Sequence, residues 1–299
     1  MTNQEHATAM TGVMARFIDM AGKRLPDDVV DKLAEMRDQE DQDMAKEIYR
    51  SMFENLDKAI ELDRPICQDT GLINFFIKAG SHYPYQYQLK QILTDAVRQA
   101  TEEAPLRPNA VSIFDEENTD DNTGERTPFL HWDIVDESDE VEIHLYMTGG
   151  GSSMPGRATT LMPSAGYEGV AEFVYDAMVE KGINACPPLI VGVGIAGSME
   201  NAALLSKKAI LRPIGSRNPH PKAAEMEIAM EKGINHIGFG PQGTSGKTSV
   251  MGVHLETAAR HPATIAAAVS VGCWVHRKGT IRFKKDGSYE ILSHRGVTL

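Results

Sequence analysis

The sequence contains few cysteines and no long apolar segment. Only three cysteines occur among 299 residues, and an odd number of them argues against a framework of paired disulfides. No apolar run approaches the roughly 20 residues that a membrane helix needs. The opening residues, MTNQEHATAM, lack the cationic and apolar regions of a signal peptide. We therefore expect a cytoplasmic protein with no membrane association and with reduced thiols.

Basic residues are also too few for a nucleic-acid partner. The chain has 30 Lys and Arg against 42 Asp and Glu, a net charge of −12, which opposes binding to nucleic acid or to an anionic membrane surface. Residues 114–142 hold twelve acids and one base, so the remainder is nearly neutral. We interpret this acidic strip as solvated surface, which leaves room for an anionic substrate elsewhere.

The apolar periodicity predicts one mixed domain of the α+β class over residues 1–299. Helical spacing predicts a mainly helical N-terminal region over 1–62, and Pro65 ends it. This region is expected to pack on a largely antiparallel or mixed sheet. The clearest strands have the sequences LINFFIKAG, FLHWDIV, VEIHLYM and PPLIVGVGI. An Asp-Gly pair near the C-terminus predicts a hairpin, and the region after Ser249 has no clear pattern.

Two glycine-rich motifs resemble nucleotide-binding turns without meeting their requirements. VGVGIAG places Gly192, Gly194 and Gly197 at the spacing of a dinucleotide-binding turn, but no acid follows about 20 residues later to bind a ribose. We favour close packing of a strand against a helix at these glycines. GPQGTSGKT has one residue too many between its first glycine and the Gly-Lys pair to form a P-loop.

The three cysteines are far apart in sequence but share one local context. Cys67, Cys186 and Cys273 lie 119 and 87 residues apart, each close to a glycine or proline. This spacing matches no local metal motif, so three incidental buried thiols remain an alternative. If the three thiolates instead converge on a four-iron cluster, one iron has no protein sulfur ligand. Such an open iron can bind a hydroxyl as a Lewis acid and promote non-redox dehydration.

Several longer motifs occur in order over almost the whole chain. They are CQDTG, PLRPNAV, GGGSSMPGRATTLMPSAGYEG, NACPPLIVGVGIAGSMENAALLSKKAILRPIGSRNPHP and GPQGTSGKTSVMGVHLETAARHPATIAAAVSVGCW. Together they resemble the family of L(+)-tartrate dehydratase alpha subunits and class I fumarase N-terminal domains. The resemblance implies a [4Fe–4S] cluster held by Cys67, Cys186 and Cys273, with one open iron.

The same resemblance implies five residues that face a small dicarboxylate substrate. Asp69 and His261 would be catalytic, and Gln68, Arg107 and Gly150 would bind substrate together with Asp69. An arginine can hold a carboxylate in two parallel hydrogen bonds, and a histidine can donate a proton to a leaving hydroxyl. Without the resemblance, the same residues would be read as ordinary turn, surface and helix-end residues.

Dehydration also needs a base, and none is evident in this sequence. In related single-chain fumarases, the base and further cationic ligands belong to a C-terminal domain, whereas this chain ends at Leu299. We therefore expect a beta subunit to supply them in an obligate hetero-oligomer, with a heterotetramer as the expected form.

The expected reaction is conversion of L(+)-tartrate to oxaloacetate. The alternative within the family is hydration of fumarate to L-malate by a class I fumarate hydratase. The turn GGGSSMPG favours tartrate, because the fumarase branch tends to carry GGGSEN there. Two other classes stay open at this point: a nucleotide-dependent oxidoreductase that uses the glycines of VGVGIAG, and a zinc-binding structural protein that uses the thiols.

Overall fold

A computed structural model describes residues 3–299 as helices and two mixed sheets, which confirms the α+β class. The α-helices are α1 (Asn3–Lys23), α2 (Asp27–Gln39), α3 (Asp43–Glu61), α4 (Leu89–Glu103), α5 (Gly150–Ser153), α6 (Gly166–Lys181), α7 (Met199–Leu211) and α8 (Pro221–Ile237). The strands are β1 (Leu72–Gly80), β2 (Phe129–Val135), β3 (Val141–Thr148), β4 (Arg157–Leu161), β5 (Leu189–Ala196), β6 (Val250–Thr257), β7 (Ile265–Gly272), β8 (Lys278–Phe283) and β9 (Tyr289–Ile291). Within residues 3–299, no helix combines the length and apolar character needed to cross a membrane.

The chain divides into two compact units, and both are discontinuous in sequence. Unit 1 comprises the described residues up to Asp27, Glu54–Gly149 and Arg277–Leu299. Unit 2 comprises Asp28–Phe53 and Gly150–His276. The N-terminal helical segment is therefore shared between the units, while the single domain over 1–299 stays a prediction.

Unit 1 is built on a five-stranded sheet in the order β2-β1-β3-β8-β9. Strands β1 and β2 run parallel, and every other neighbouring pair is antiparallel. Helix α1 buries Met14, Phe17 and Ile18 in one cluster with Phe75 of β1 and Leu145 of β3. The i, i+3, i+4 spacing of these α1 residues makes one apolar stripe, which explains why the segment is helical and which face it buries.

The acidic strip includes β2, the edge strand of this sheet. All twelve acids of residues 114–142 are exposed or half-buried, as expected for solvated surface. Strands β2 and β3 follow one another in the chain across an acidic turn, yet both pair with β1 and lie on opposite sides of it. The predicted C-terminal hairpin is confirmed, since β8 pairs antiparallel with β9 across Asp286 and Gly287.

Unit 2 is built on a four-stranded sheet in the order β4-β7-β5-β6, with helices on both faces. Strands β5 and β6 are parallel, while β7 is antiparallel to both β4 and β5. Val191 and Val193 of β5 share a core with α6 and α8. Gly192 and Gly194 face the opposite way, toward α7, because successive strand residues point to opposite faces.

Two of the three glycines of VGVGIAG, Gly192 and Gly194, are packing residues of β5. A Cβ atom at Gly194 would lie 1.9 Å from the carbonyl oxygen of Ala202, and one at Gly192 would lie 2.2 Å from that of Ser206. A dinucleotide-binding turn places its first two glycines after the strand, whereas Gly192 and Gly194 lie within β5. The helix-packing interpretation is therefore confirmed for Gly192 and Gly194, whereas Gly197 follows β5 and lies near residues 259–261. Likewise GPQGTSGKT is followed by strand β6 and not by the helix that a P-loop requires.

Candidate functional site

The first cysteine lies on an anchored turn of unit 1. Helix α3 ends at Glu61, and the chain then has no regular structure until β1 begins at Leu72. Ile66 is buried; its N–H donates to the carbonyl oxygen of Gly22 (3.0 Å), and its own carbonyl oxygen accepts from Asn55 Nδ2 (3.1 Å). Because residue 66 is held on both sides, the half-buried Cys67 beside it has a fixed position.

Asp69 is oriented by a side chain that the sequence did not single out. Asn109 Nδ2 donates to Asp69 Oδ1 (2.9 Å), and the N–H of Asn109 donates to Asn122 Oδ1 (2.7 Å). Asn122 Nδ2 in turn donates to the carbonyl oxygen of Arg107 (3.2 Å). The network therefore brings the segments of Asp69 and Arg107 together. The sequence did offer one signal for Asn109, because it lies in the motif PLRPNAV two residues after Arg107.

The side chains that unit 1 offers at this place differ in exposure. Asp69 is half-buried, whereas Gln68 and Arg107 are exposed. An exposed amide and an exposed guanidinium on the two segments that this network joins suit a small polar anion, because the guanidinium can donate two parallel hydrogen bonds to a carboxylate.

A glycine after the cysteine turn allows a close approach between two site segments. Gly71 has φ +75°, and a Cβ atom there would lie 2.3 Å from the carbonyl oxygen of Thr148 and 2.7 Å from the nitrogen of Gly149. The first residue of the glycine triplet therefore lies against the end of CQDTG within unit 1. Gly150 follows it as the exposed first residue of α5 in unit 2.

The second and third cysteines lie in neighbouring loops of unit 2. Cys186 precedes β5 and Cys273 follows β7. These strands are antiparallel, with Ile190 opposite Gly272, so the start of one meets the end of the other. The N–H of Trp274 donates to the carbonyl oxygen of Cys186 (3.1 Å) and ties the two loops together.

The two thiols of unit 2 are accessible and are not joined in a disulfide. Cys186 is exposed and has a left-handed backbone (φ 55°, ψ 67°) after the short turn Gly182–Ala185. Cys273 is half-buried, with its Sγ 3.5 Å from the carbonyl oxygen of Val275. A left-handed conformation is uncommon for a residue with a Cβ atom and is often found at functional sites.

His261 lies at the other end of the unit 2 sheet. It is an exposed residue of the connection between β6 and β7, before β7 begins. Its Nδ1 accepts from the N–H of Ala263 (3.2 Å). Cys273 follows the last residue of β7, so the length of the strand, roughly 25 Å at about 3.4 Å per residue, separates the two. Unit 2 thus brings Cys186 and Cys273 together and keeps His261 apart from them.

Comparison with known proteins identifies relatives along nearly the whole chain. The model of the family described as fumarate hydratase (Fumerase) matches residues 11–282. The L(+)-tartrate dehydratase subunit alpha of Escherichia coli strain K12 is 56% identical over 291 residues, which cover 97% of this chain and 96% of the relative. A putative L(+)-tartrate dehydratase subunit alpha of Methanocaldococcus jannaschii is 34% identical over 280 residues, or 93% of this chain and 98% of the relative.

Proposed function

Since this chain belongs to the fumarate hydratase family, a family of hydro-lyases, we propose that it is the alpha subunit of an iron–sulfur-dependent enzyme that dehydrates L(+)-tartrate to oxaloacetate. The observation that carries the proposal is the pairing of two distant cysteines. Cys186 and Cys273 lie in neighbouring loops joined by the Trp274 hydrogen bond, which the sequence spacing alone did not require. The names of the relatives favour tartrate as the substrate.

The cysteines fit a [4Fe–4S] cluster as a donor set. Thiolates are the usual protein ligands of such clusters, and Cys67, Cys186 and Cys273 are all outside disulfides. Within residues 3–299, no three or more His, Cys, Asp or Glu side chains are grouped so that they could hold one metal ion. The thiolates of a cubane cluster bind different iron atoms, so they need not meet the spacing of ligands around a single ion. When bound, the cluster supplies an iron with an open position as a Lewis acid for a hydroxyl group.

The residues of this chain would bind and orient the substrate. The exposed guanidinium of Arg107 can hold one carboxylate bidentately, and Gln68 can donate its amide N–H to a hydroxyl or carboxylate oxygen. Asp69, fixed by Asn109, would orient the departing hydroxyl or hold its proton. Gly150 would offer a backbone N–H without a side chain in the way.

His261 needs a separate explanation in this proposal. Its place at the far end of β7 means that it does not reach a group held by Cys186 and Cys273 of the same chain. A role as proton donor at that centre therefore requires a second copy of the chain in the assembly. The base that removes the carbon-bound proton is assigned to a beta subunit, and the name "subunit alpha" of the relatives supports a partner of this kind.

The experiment is anaerobic co-expression of this chain with a beta-type subunit. We expect a brown complex that contains iron and sulfide and that dehydrates L(+)-tartrate faster than it hydrates fumarate. Fast fumarate hydration without tartrate turnover would replace the substrate with that of a class I fumarate hydratase. A colourless zinc protein would refute the cluster, and full turnover by the loaded chain alone would refute the need for a beta subunit.

A further inference from the structure

Arg277 is a fully buried arginine at the cysteine turn of unit 1. Its side chain is among the largest that the fold buries completely, with 2% of the residue exposed. It directly precedes β8, and its carbonyl oxygen accepts from the N–H of Met147 (3.1 Å). The backbone is therefore fixed by the sheet, and the guanidinium is buried.

The guanidinium reaches the turn that carries Cys67. Nη2 of Arg277 donates to the carbonyl oxygen of Asp69. Nε and Nη1 are also buried, yet they donate to no acceptor among residues 3–299. A buried cation is normally paired with an anion and fully hydrogen-bonded, because removal of a charge from water is costly. Arg277 therefore lacks the partner that its burial calls for.

A second unsatisfied group lies on the same turn. Thr70 is 1% exposed, and its hydroxyl has no hydrogen-bond partner among the described residues. The carbonyl that Arg277 binds belongs to the peptide between Asp69 and Thr70, so the guanidinium and Thr70 are neighbours. Native proteins leave few buried polar groups unpaired, and each such group calls for an explanation.

The burial of these atoms suits a resident anion better than an exchanging one. The orphaned atoms have almost no solvent contact, whereas a substrate carboxylate must enter and leave in every turnover. A cluster held by three thiolates is an anion that stays bound. In the sequence, Arg277 follows Cys273 by four residues, and its side chain binds the residue two positions after Cys67.

We propose that Arg277 and Thr70 are positioning residues that compensate the negative charge of the iron–sulfur centre and hydrogen-bond to it, in addition to holding the turn of Cys67 and Asp69. The inference rests on the proposed function, because it needs the cluster. Hydrogen bonds to cluster sulfurs and nearby charge are known to set reduction potentials. Loss of the positive charge should therefore make the potential of the bound cluster more negative.

The test measures the reduction potential and the electron paramagnetic resonance spectrum of the reduced cluster in the anaerobic complex. We expect Arg277→Gln to shift the potential to a more negative value. A smaller shift is expected for Arg277→Lys, which keeps the charge, and for Thr70→Val, which removes one donor. Arg282→Gln is the matched control, since Arg282 lies on β8 near the surface and pairs with Glu142; it should leave both readouts unchanged.

Two variants keep the test decisive if Arg277→Gln does not fold. Arg277→Lys preserves the charge, and Thr70→Val preserves the shape and removes a hydroxyl that is already unpaired, so Thr70→Val should fold normally. An unchanged reduction potential and spectrum in both the Arg277→Lys and the Thr70→Val complex would overturn the inference. Tartrate turnover by the wild-type complex would still uphold the proposed function in that case. If the variants raise the KM for tartrate but leave the potential and spectrum of the cluster unchanged, the inference would also be overturned, because Arg277 and Thr70 would then act in substrate binding. A wild-type complex without iron and sulfide would instead refute the proposed function.

Discussion

Asn109 shows how one amide can determine the orientation of the carboxylate of Asp69, the proposed catalytic residue. It donates to Asp69 Oδ1, and its own backbone is held by Asn122. We expect Asn109→Ala to lower kcat for tartrate by about 10- to 100-fold, because a carboxylate displaced by a fraction of its hydrogen-bond length is no longer aligned. Steady-state kinetics of the anaerobic complex would measure this change.

The control for this variant is Asn201→Ala, an exposed asparagine near the start of α7 that bonds to Ser198. It should keep wild-type kcat. Loss of the Asn109 hydrogen bond should cost only about 1 kcal/mol of unfolding free energy, so a large drop in melting temperature would point to misfolding. Unchanged kcat in Asn109→Ala would show that Asp69 needs no such support.

Cys186 gives the most direct test of cluster ligation because its side chain is exposed. Serine in its place changes little in the packing, so the melting temperature of the cluster-free chain should stay the same. Iron and sulfide content should fall well below that of the wild-type complex, with loss of the brown absorbance. A Cys186→Ser complex with full iron and sulfide would remove this residue from the ligand set.

At the scale of elements, the packing of β5 on α7 depends on glycine. A Cβ atom at Gly194 would meet the backbone oxygen of Ala202 at 1.9 Å, so strand and helix would have to separate. We expect Gly194→Ala to lower the unfolding free energy by about 3 kcal/mol or more, as overpacking of a tight core does. Urea unfolding of the chain would measure the loss.

Gly252→Ala on β6 is the matched control for that variant. A Cβ atom at this position would lie 3.5 Å from Ile190 Cδ1, an ordinary contact. The two variants add the same methyl group to adjacent strands of one sheet. Equal stability of both would contradict the packing account of the VGVGIAG glycines.

Element prediction succeeded where the sequence pattern was distinctive, as in the apolar stripe of α1 and the continuous apolar run of β5. Helix α1 was readable because its apolar residues repeat at helical spacing. Strands β6 and β7 were not assigned, since nearly all their residues are buried and a strand buried on both faces shows no alternation. Helix α8 continues through Gly233 to Ile237, although glycine lowers helix propensity.

At the scale of the whole molecule, a charged cluster across β1, β3 and β8 links stability to pH. Burial raises the pKa of Glu142, but hydrogen bonds from Arg282 and Lys78 outweigh it and bring the pKa to about 2. Burial lowers the pKa of His144 to about 4. At neutral pH the contact between His144 and Glu142 (3.0 Å) is therefore a hydrogen bond from a neutral imidazole and not an ion pair.

Both groups have a folded pKa below the ordinary values of 4.5 for Glu and 6.5 for His. The unfolded chain therefore binds protons more readily, and acid favours unfolding. We expect the His144 contribution to be complete above about pH 6.5 and lost toward pH 4, and the Glu142 contribution to be lost between about pH 4.5 and 2. Urea unfolding at several pH values would measure both windows.

Glu142→Gln should flatten the stability curve below pH 4.5, whereas Glu125→Gln, at an exposed acid of the strip, should leave the curve unchanged. A wild-type curve that is flat from pH 7 to pH 3 would contradict the assigned shifts. The prediction concerns the stability of the unit 1 sheet, because the strands that carry Lys78, Glu142 and Arg282 form its middle.

The sequence by itself determined the class of fold, the cysteine and substrate-binding candidates and the family. These follow from local periodicity, turn residues and ordered motifs, which are properties of neighbouring residues. It also determined that the nucleotide-like motifs were incomplete, because their missing acid and altered spacing are visible in the chain.

The tertiary structure decided which distant residues meet. The antiparallel pairing of β5 and β7 joins the loops of Cys186 and Cys273, and the same pairing sends His261 to the opposite end of the sheet. Asn109 and Arg277 reach Asp69 through long-range hydrogen bonds. Strand register and buried hydrogen bonds arise from packing between segments far apart in the chain, so no local pattern encodes them.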